Sequence, residues 1–451
     1  MTLLAREPAE VARRGRRAEW VALTVAGVAL VAAFTGEEWG PWGDVHAWLE
    51  PLSAYLEPRL FAPGLPLAVA VAWAVAAYGP RLAETLPWRR LLLATWLAGL
   101  AWSLGLALIR GGAGIAEPLT NEHEYLVDVP RVDDLTTLLP GFAERIDSSP
   151  ETNWVTHVAG HPPLTFLGFL WLDRVGLGGP VWGALVITLL GSTAIAAVLV
   201  TLRTLGDEPR ARTVAPYLAL TPLVCWSVVS SDGVFMAAAT WGLAVLASAA
   251  AAPAWPRAAV LGAAAGVALG LAINLAYGLL LSGTLAVAVL AAARSWRPLL
   301  PAVAGALTVV AAFAALGFWW LDGQGRLVDR YYDGIASQRP QSYWLWANLA
   351  VVAFCVGPAV VAAVGGWAAA RSPRRWRVPG PTGWLVLGAV TAITVADLSG
   401  LSRSEVERIW LPFMVWLVPL AAWLDRRDDR RWLAAQAAWA IGISLVLRLT
   451  W

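Results

Sequence analysis

The chain has 451 residues, 58% of them hydrophobic and 14% charged, with a mean hydropathy of +0.61. A soluble domain carries about 25% charged residues, so this composition excludes a soluble enzyme and reads as a polytopic membrane protein. A net charge of +2 excludes a nucleic-acid binder, which needs a strongly basic face.

All 33 basic residues are arginine, which fits an Ala/Gly/Pro-rich composition and carries no mechanism. Cys225 and Cys355 lie in apolar runs and read as packing residues. Residues 1–17 are Arg-rich and precede the first apolar run. With many further runs behind it, that first run reads as an uncleaved helix and not a signal peptide. A helix needs ~20 apolar residues to cross a bilayer. In chain order such runs fall near 18–35, 62–79, 90–109, 178–201, 214–231, 233–250, 257–274, 277–293, 299–320, 344–367, 382–398, 409–424 and 432–449. The expected fold is all-α, with about 13 transmembrane helices. Three parts are expected. Residues 1–89 form a cytoplasmic tail and two added helices, 90–320 a catalytic module with a large loop at 110–163, and 321–451 the C-terminal helices with loops at 321–343 and 399–408.

Cytoplasmic loops collect arginine. With the N-terminus inside, alternation puts inside the loops at 80–89, 202–213, 251–256, 294–298, 368–381 and 425–431, among them Arg371, Arg374, Arg375 and Arg377. This requires that the short run 164–172 does not cross. At about nine residues it is too short to span, and it reads as an interfacial or re-entrant helix. The outer loops then hold all four histidines (His46, His123, His157, His161), the acid-rich stretch 121–134, "SSD" at 230–232, "RLVDRYYDG" at 326–334 and "SRSEVER" at 402–408. The spans carry almost no charge at their middles, where a coupled transporter keeps its ionisable groups. That weighs for a site at the outer surface.

Four motifs in order carry a family resemblance. Asn121-Glu122-His123-Glu124-Tyr125 is followed by His161-Pro162-Pro163-Leu164, by "SSDGVFM" at 230–236 and by "EVERIWLPF" at 405–413. This resembles the GT-C superfamily of membrane glycosyltransferases, in the pattern of the protein O-mannosyltransferases and lipid A aminoarabinose transferases of bacteria. Their first outer loop reads Asp-Glu-x-x-Tyr and later Lys-Pro-Pro-Leu. The likeness covers roughly 90–250 well and 320–420 loosely.

The resemblance implies an inverting transfer of a mannose- or arabinose-like sugar. The donor is a polyprenyl-phosphate sugar and the acceptor a cell-envelope glycolipid, glycan or protein. The setting is the outer face of a bacterial plasma membrane, with the N-terminus cytoplasmic. A carboxylate takes the acceptor proton; Glu124 is the first candidate and Glu122 the second, because Asn121 stands where the family has its acid. Donor-phosphate candidates are Arg408, His161, Arg330 and Arg403. His161 replaces the family Lys and makes that contact pH-dependent, since histidine titrates at ~6.5. Asn121, Tyr125, Tyr331, Tyr332 and Asp333 are expected to line the substrate pocket. Asp232 is expected to organise its helix turn. Asp128, Asp133 and Asp134 read as solvated or capping residues. Most of the 28 tryptophans read as aromatic belts, with Trp154, Trp344 and Trp346 as alternative sugar platforms. No cofactor is expected. A divalent cation on His123, Glu122, Glu124 and Asp128 is the alternative, although no metal-binding motif is present. Three other readings stay open: a lipid or sugar-lipid transporter, a catalytically inactive GT-C relative, and an enzyme of the O-antigen-ligase kind.

Overall fold

A computed structural model describes residues 6–147, 152–370 and 380–449. Arg371, Arg374, Arg375 and Arg377 lie outside the described residues. The chain is an α-helical membrane protein. Among the described residues, seven helices are long and apolar enough to cross a membrane, or up to nine if each of two bent pairs is one span. Two shorter apolar helices, at Tyr277–Ala293 and Leu411–Trp423, add to these.

The segments that fall short of a straight span do so for local reasons. The run expected at 214–231 forms two helices, Glu208–Ala219 and Val224–Ser227. Pro222 disfavours helix at the residue before it and has no N–H to continue the ladder. The run at 344–367 forms Gln341–Val356 and Pro358–Ala369, bent by 107°. The hinge is Gly357 at φ +80°, followed by a proline, a pairing that ends one helix and starts another. The helix Leu299–Ala315 breaks at Gly317 (φ +103°) and turns by 78° into the amphipathic helix Trp320–Asp333.

Helix Ser231–Ala250 is central, with 72% of its apolar window buried, against 11% for Gly15–Phe34 and 6% for Leu65–Thr85, which lie at the periphery. Small residues set close crossings where lipid supplies no hydrophobic drive between helices. A Cβ at Gly365 would sit 2.1 Å from the Ala18 carbonyl oxygen, and one at Gly266 would sit 1.9 Å from that of Ala302.

Polar contacts gather at two ends of the helix bundle. At one end Arg212 donates to the carbonyls of Ala83 and Leu86 (2.8 and 3.0 Å), Arg426 pairs with Glu84, Tyr217 donates to Asp429 and Thr382 to Asp207. At the other end lie the loop carrying Glu124, the 230–232 turn, residues 399–408 and a small antiparallel sheet. That sheet joins β1 (Ala54–Leu56) to β2 (Leu447–Leu449). It is the one sheet among the described residues.

The run expected at 164–172 is helix Pro163–Arg174. Its twelve residues rise about 18 Å, short of the ~30 Å hydrocarbon core. Its first turn is tied to the Asn274 and Leu275 carbonyls, and Arg174 at its end donates to the carbonyls of Val132 and Asp133. Residues 132–133 belong to the same loop as Glu124, so both ends of this helix stay at the site end.

Candidate functional site

The loop after helix Trp88–Ala107 is a series of short turns anchored by aromatic packing. Tyr125 is buried and stacks on Phe169 of helix Pro163–Arg174, with ring centroids 5.0 Å apart. That contact turns the preceding Glu124 inward. Its Oε1 lies 2.7 Å from Nδ1 of His157, on the helix turn Thr156–Ala159. The His157 backbone N–H donates to the His123 carbonyl (3.0 Å), which locks the two stretches together.

Arg408 closes the network from the far side of the chain. Its Nη2 is 3.1 Å from His157 Nε2 and 2.7 Å from Glu405 Oε2, and its Nη1 is 3.3 Å from Asp232 Oδ2. A guanidinium only donates, so His157 Nε2 accepts and Nδ1 carries the hydrogen that Glu124 receives. The tautomer follows from the partners. Asp232 is in the first turn of the central helix Ser231–Ala250, where Ser230 caps by accepting from the Asp232 N–H and donating to its carboxylate. Gly233 lets that turn pack close: a Cβ there would lie 2.3 Å from the Ser227 carbonyl oxygen.

Burial alone pushes the Glu124 carboxyl up, but His157 and Arg408 outweigh it and hold it below the usual range. For Glu405 burial is again outweighed, here by Arg408 and Arg339, and its carboxyl is also held low. Burial would lower Arg408, yet Asp232 and Glu405 keep it charged and raise it further. The result is a charge-dense cluster of three carboxylates, Glu124 and Asp232 buried and Glu405 half-buried, around one guanidinium and one imidazole.

His157, Glu405 and Arg408 form part of the lining of a cavity of about 1030 Å³. Its other end is basic. Glu57, just after β1, accepts from Arg59 and Arg110 at Oε1 (2.7 and 2.8 Å) and from Arg448 of β2 at Oε2 (2.9 Å). Arg110 and Arg448 line the cavity there, with Tyr55, Trp48 and His46 beside them.

The sequence candidates are distributed unevenly around this site. Glu122 and Asn121 line the cavity; the Glu122 side chain is exposed, and Asn121 Oδ1 accepts from the His123 N–H. Glu124 sits behind His157 and does not itself line the cavity. His161 departs from its expected role. Its Nδ1 is 2.8 Å from both the His157 carbonyl and the Tyr125 hydroxyl. Burial lowers it to about 4, so it is neutral near pH 7 and holds loop structure instead of meeting an anion. Arg330 is spent on the Ile146 and Trp154 carbonyls. Arg403 is spent on Gln341 and the Ala336 and Arg339 carbonyls. Neither lines the cavity.

Tyr331 accepts from the Arg403 N–H, Tyr332 donates to the Gly400 carbonyl, and Asp333 is an exposed helix end. None of the three lines the cavity. Asp128 is fully buried, paired with Arg131 and accepting from the Val155 N–H, and so is not solvated. With Asp128 so engaged and Glu124 turned to His157, the four residues offered as alternative metal ligands do not converge. Trp154 and Trp344 are buried core residues, Trp154 under the Arg145 guanidinium at 3.3 Å, and are not sugar platforms.

The residues that sequence reasoning passed over are His157, Glu405, Arg339, Arg110 and Arg448. His157 and His161 are four apart, one helical turn, and Glu405 and Arg408 are three apart. Both spacings were visible signals. Compared with known proteins, the chain matches no family model, and no curated protein matches it.

Proposed function

We propose that the chain is an inverting membrane glycosyltransferase of the GT-C kind. It moves a mannose- or arabinose-like sugar from a polyprenyl-phosphate carrier to a cell-envelope acceptor at the outer face of a bacterial plasma membrane. The observation that carries this reading is the Glu124–His157–Arg408 relay at the wall of the cavity. It is a proton acceptor with a fixed tautomer, backed by a buried carboxylate. The gathering of polar loops at two ends of the bundle supports the finer topology, about thirteen crossings with the N-terminus and the Arg-rich loops cytoplasmic.

In this reading the acceptor hydroxyl replaces Arg408 Nη2 at His157 Nε2, while Arg408 keeps Asp232 and Glu405. The hydroxyl oxygen attacks C1 of the sugar as its proton passes to Nε2. The C1–O bond to phosphate breaks, its electron pair leaves with the lipid phosphate, and the configuration at C1 inverts. Glu124 is a positioning residue: it holds Nδ1–H and stabilises the imidazolium. Glu122, at the cavity rim, is the alternative base.

The test is transfer by purified protein in liposomes from a panel of polyprenyl-phosphate sugars to envelope lipid extract. Glu124→Gln and His157→Gln are expected to lose roughly 10²-fold or more, and Glu122→Gln to stay near wild type. Loss confined to Glu122→Gln sinks the relay. No transfer from any donor overturns the transferase reading.

A further inference from the structure

We propose that the basic end of the cavity is a phosphate-binding site, built by Arg59, Arg110 and Arg448 around Glu57. Three guanidiniums share one carboxylate, at 2.7, 2.8 and 2.9 Å. One negative charge against three positive leaves a local excess of two. Arg408 is the opposite case, already flanked by Asp232 and Glu405. An incoming anion therefore finds uncompensated charge at Arg110 and Arg448, not at Arg408.

The donors themselves also point to a missing acceptor. Arg110 is largely buried, and its Nη1 is enclosed with no hydrogen-bond partner, as is Nε of Arg59. Buried donors without partners are rare and costly, and an oxyanion with several oxygens would satisfy them. The planar forks of arginine suit phosphate oxygens two at a time. The site is built and not incidental, since its members come from three distant segments. Glu57 and Arg59 follow β1, Arg110 lies in the turn Leu108–Arg110 that follows helix Trp88–Ala107, and Arg448 is held opposite Tyr55 in the β1–β2 pairing. Apolar surface adjoins it: Leu56, Leu60 and Phe61 are exposed beside β1, and Leu106 and Leu447 line the adjoining cavity wall. The phosphate thus has a place beside it for an alkyl chain. This site shares the cavity of the transferase reading but needs no turnover, so binding and transfer can fail separately.

The experiment measures binding to the full chain in nanodiscs of neutral lipid, using farnesyl phosphate, inorganic phosphate and farnesol as probes. Farnesyl phosphate is expected to bind, and Arg110→Gln and Arg448→Gln to weaken it at least tenfold, with farnesol unchanged. Glu57→Gln keeps an acceptor oxygen and removes the negative charge, so it should bind farnesyl phosphate at least as tightly as wild type. A purely structural cluster would give the reverse. Farnesyl phosphate binding tighter than inorganic phosphate assigns the site to a lipid phosphate, and equal binding assigns it to free phosphate; both support the site. Absence of phosphate-dependent binding, or affinity indifferent to both arginine variants, overturns it.

Discussion

Arg408 is the residue whose removal should do the most damage at the site end. Its side chain is 9% exposed and that of Asp232 5%, with 3.3 Å between Nη1 and Oδ2. At an effective dielectric of about 20, the Coulomb attraction at that separation is about 5 kcal/mol before desolvation. Most of it offsets the cost of burying both charges. Removing one partner exposes the full penalty of the other, about 3–5 kcal/mol for a buried pair. Arg408→Met is therefore expected to destabilise the fold by about 3–5 kcal/mol, because Asp232 and Glu405 lose their shared cation. Asp232→Asn in the same background should recover part of the loss, with a coupling of roughly 1–3 kcal/mol. The assay is reversible unfolding in mixed detergent–SDS micelles, run as a double-mutant cycle. An Arg408→Met variant within about 0.5 kcal/mol of wild type, or a strictly additive cycle, would refute the buried pair.

Two further predictions concern stability. His161 is lowered from 6.5 to about 4. Below pH 6.5 the unfolded chain takes up a proton that the folded chain refuses. Stability is then lost as pH falls from about 6.5 to 4, by on the order of 3 kcal/mol in total. Unfolding at pH 7 and pH 4.5 should show that loss, and His161→Gln should flatten it; an identical slope in both proteins refutes the assignment. Gly233→Ala drives a methyl against the Ser227 carbonyl oxygen, 2.3 Å away. A cost of roughly 1–3 kcal/mol is expected, read as a lower melting temperature, and an unchanged melt would mean that the 227–233 turn relaxes freely.

The helical membrane character was legible because apolar runs record lipid directly, and the run 164–172, read as non-crossing from its length and from the arginine distribution, is a helix of only twelve residues. The breaks were partly legible. Pro222 and the Gly357-Pro358 pair are visible in the sequence, but the size of a bend depends on what packs against it. Within the site, Glu124, Asp232 and Arg408 were each visible in a motif. Their convergence was not, because it is made by tertiary packing between residues as far apart in the chain as Glu124 and Arg408. Arg330 and Arg403 illustrate the converse. An arginine in a polar loop looks free to bind a ligand, while the folded loop uses it to satisfy its own carbonyls. The Glu57 cluster lay beyond reach, since strand pairing between residues 54–56 and 447–449 leaves no local signature.

That pairing also sets an order of assembly. A membrane protein inserts as it is made, and the strand bearing Arg448 emerges long after the strand it pairs with. The loop bearing Glu57 must wait, with Glu57 holding only Arg59 and Arg110, until helix Asp429–Val446 is in place. A chain lacking residues 429–449 can thus embed the helices before them while the basic end of its cavity stays incomplete.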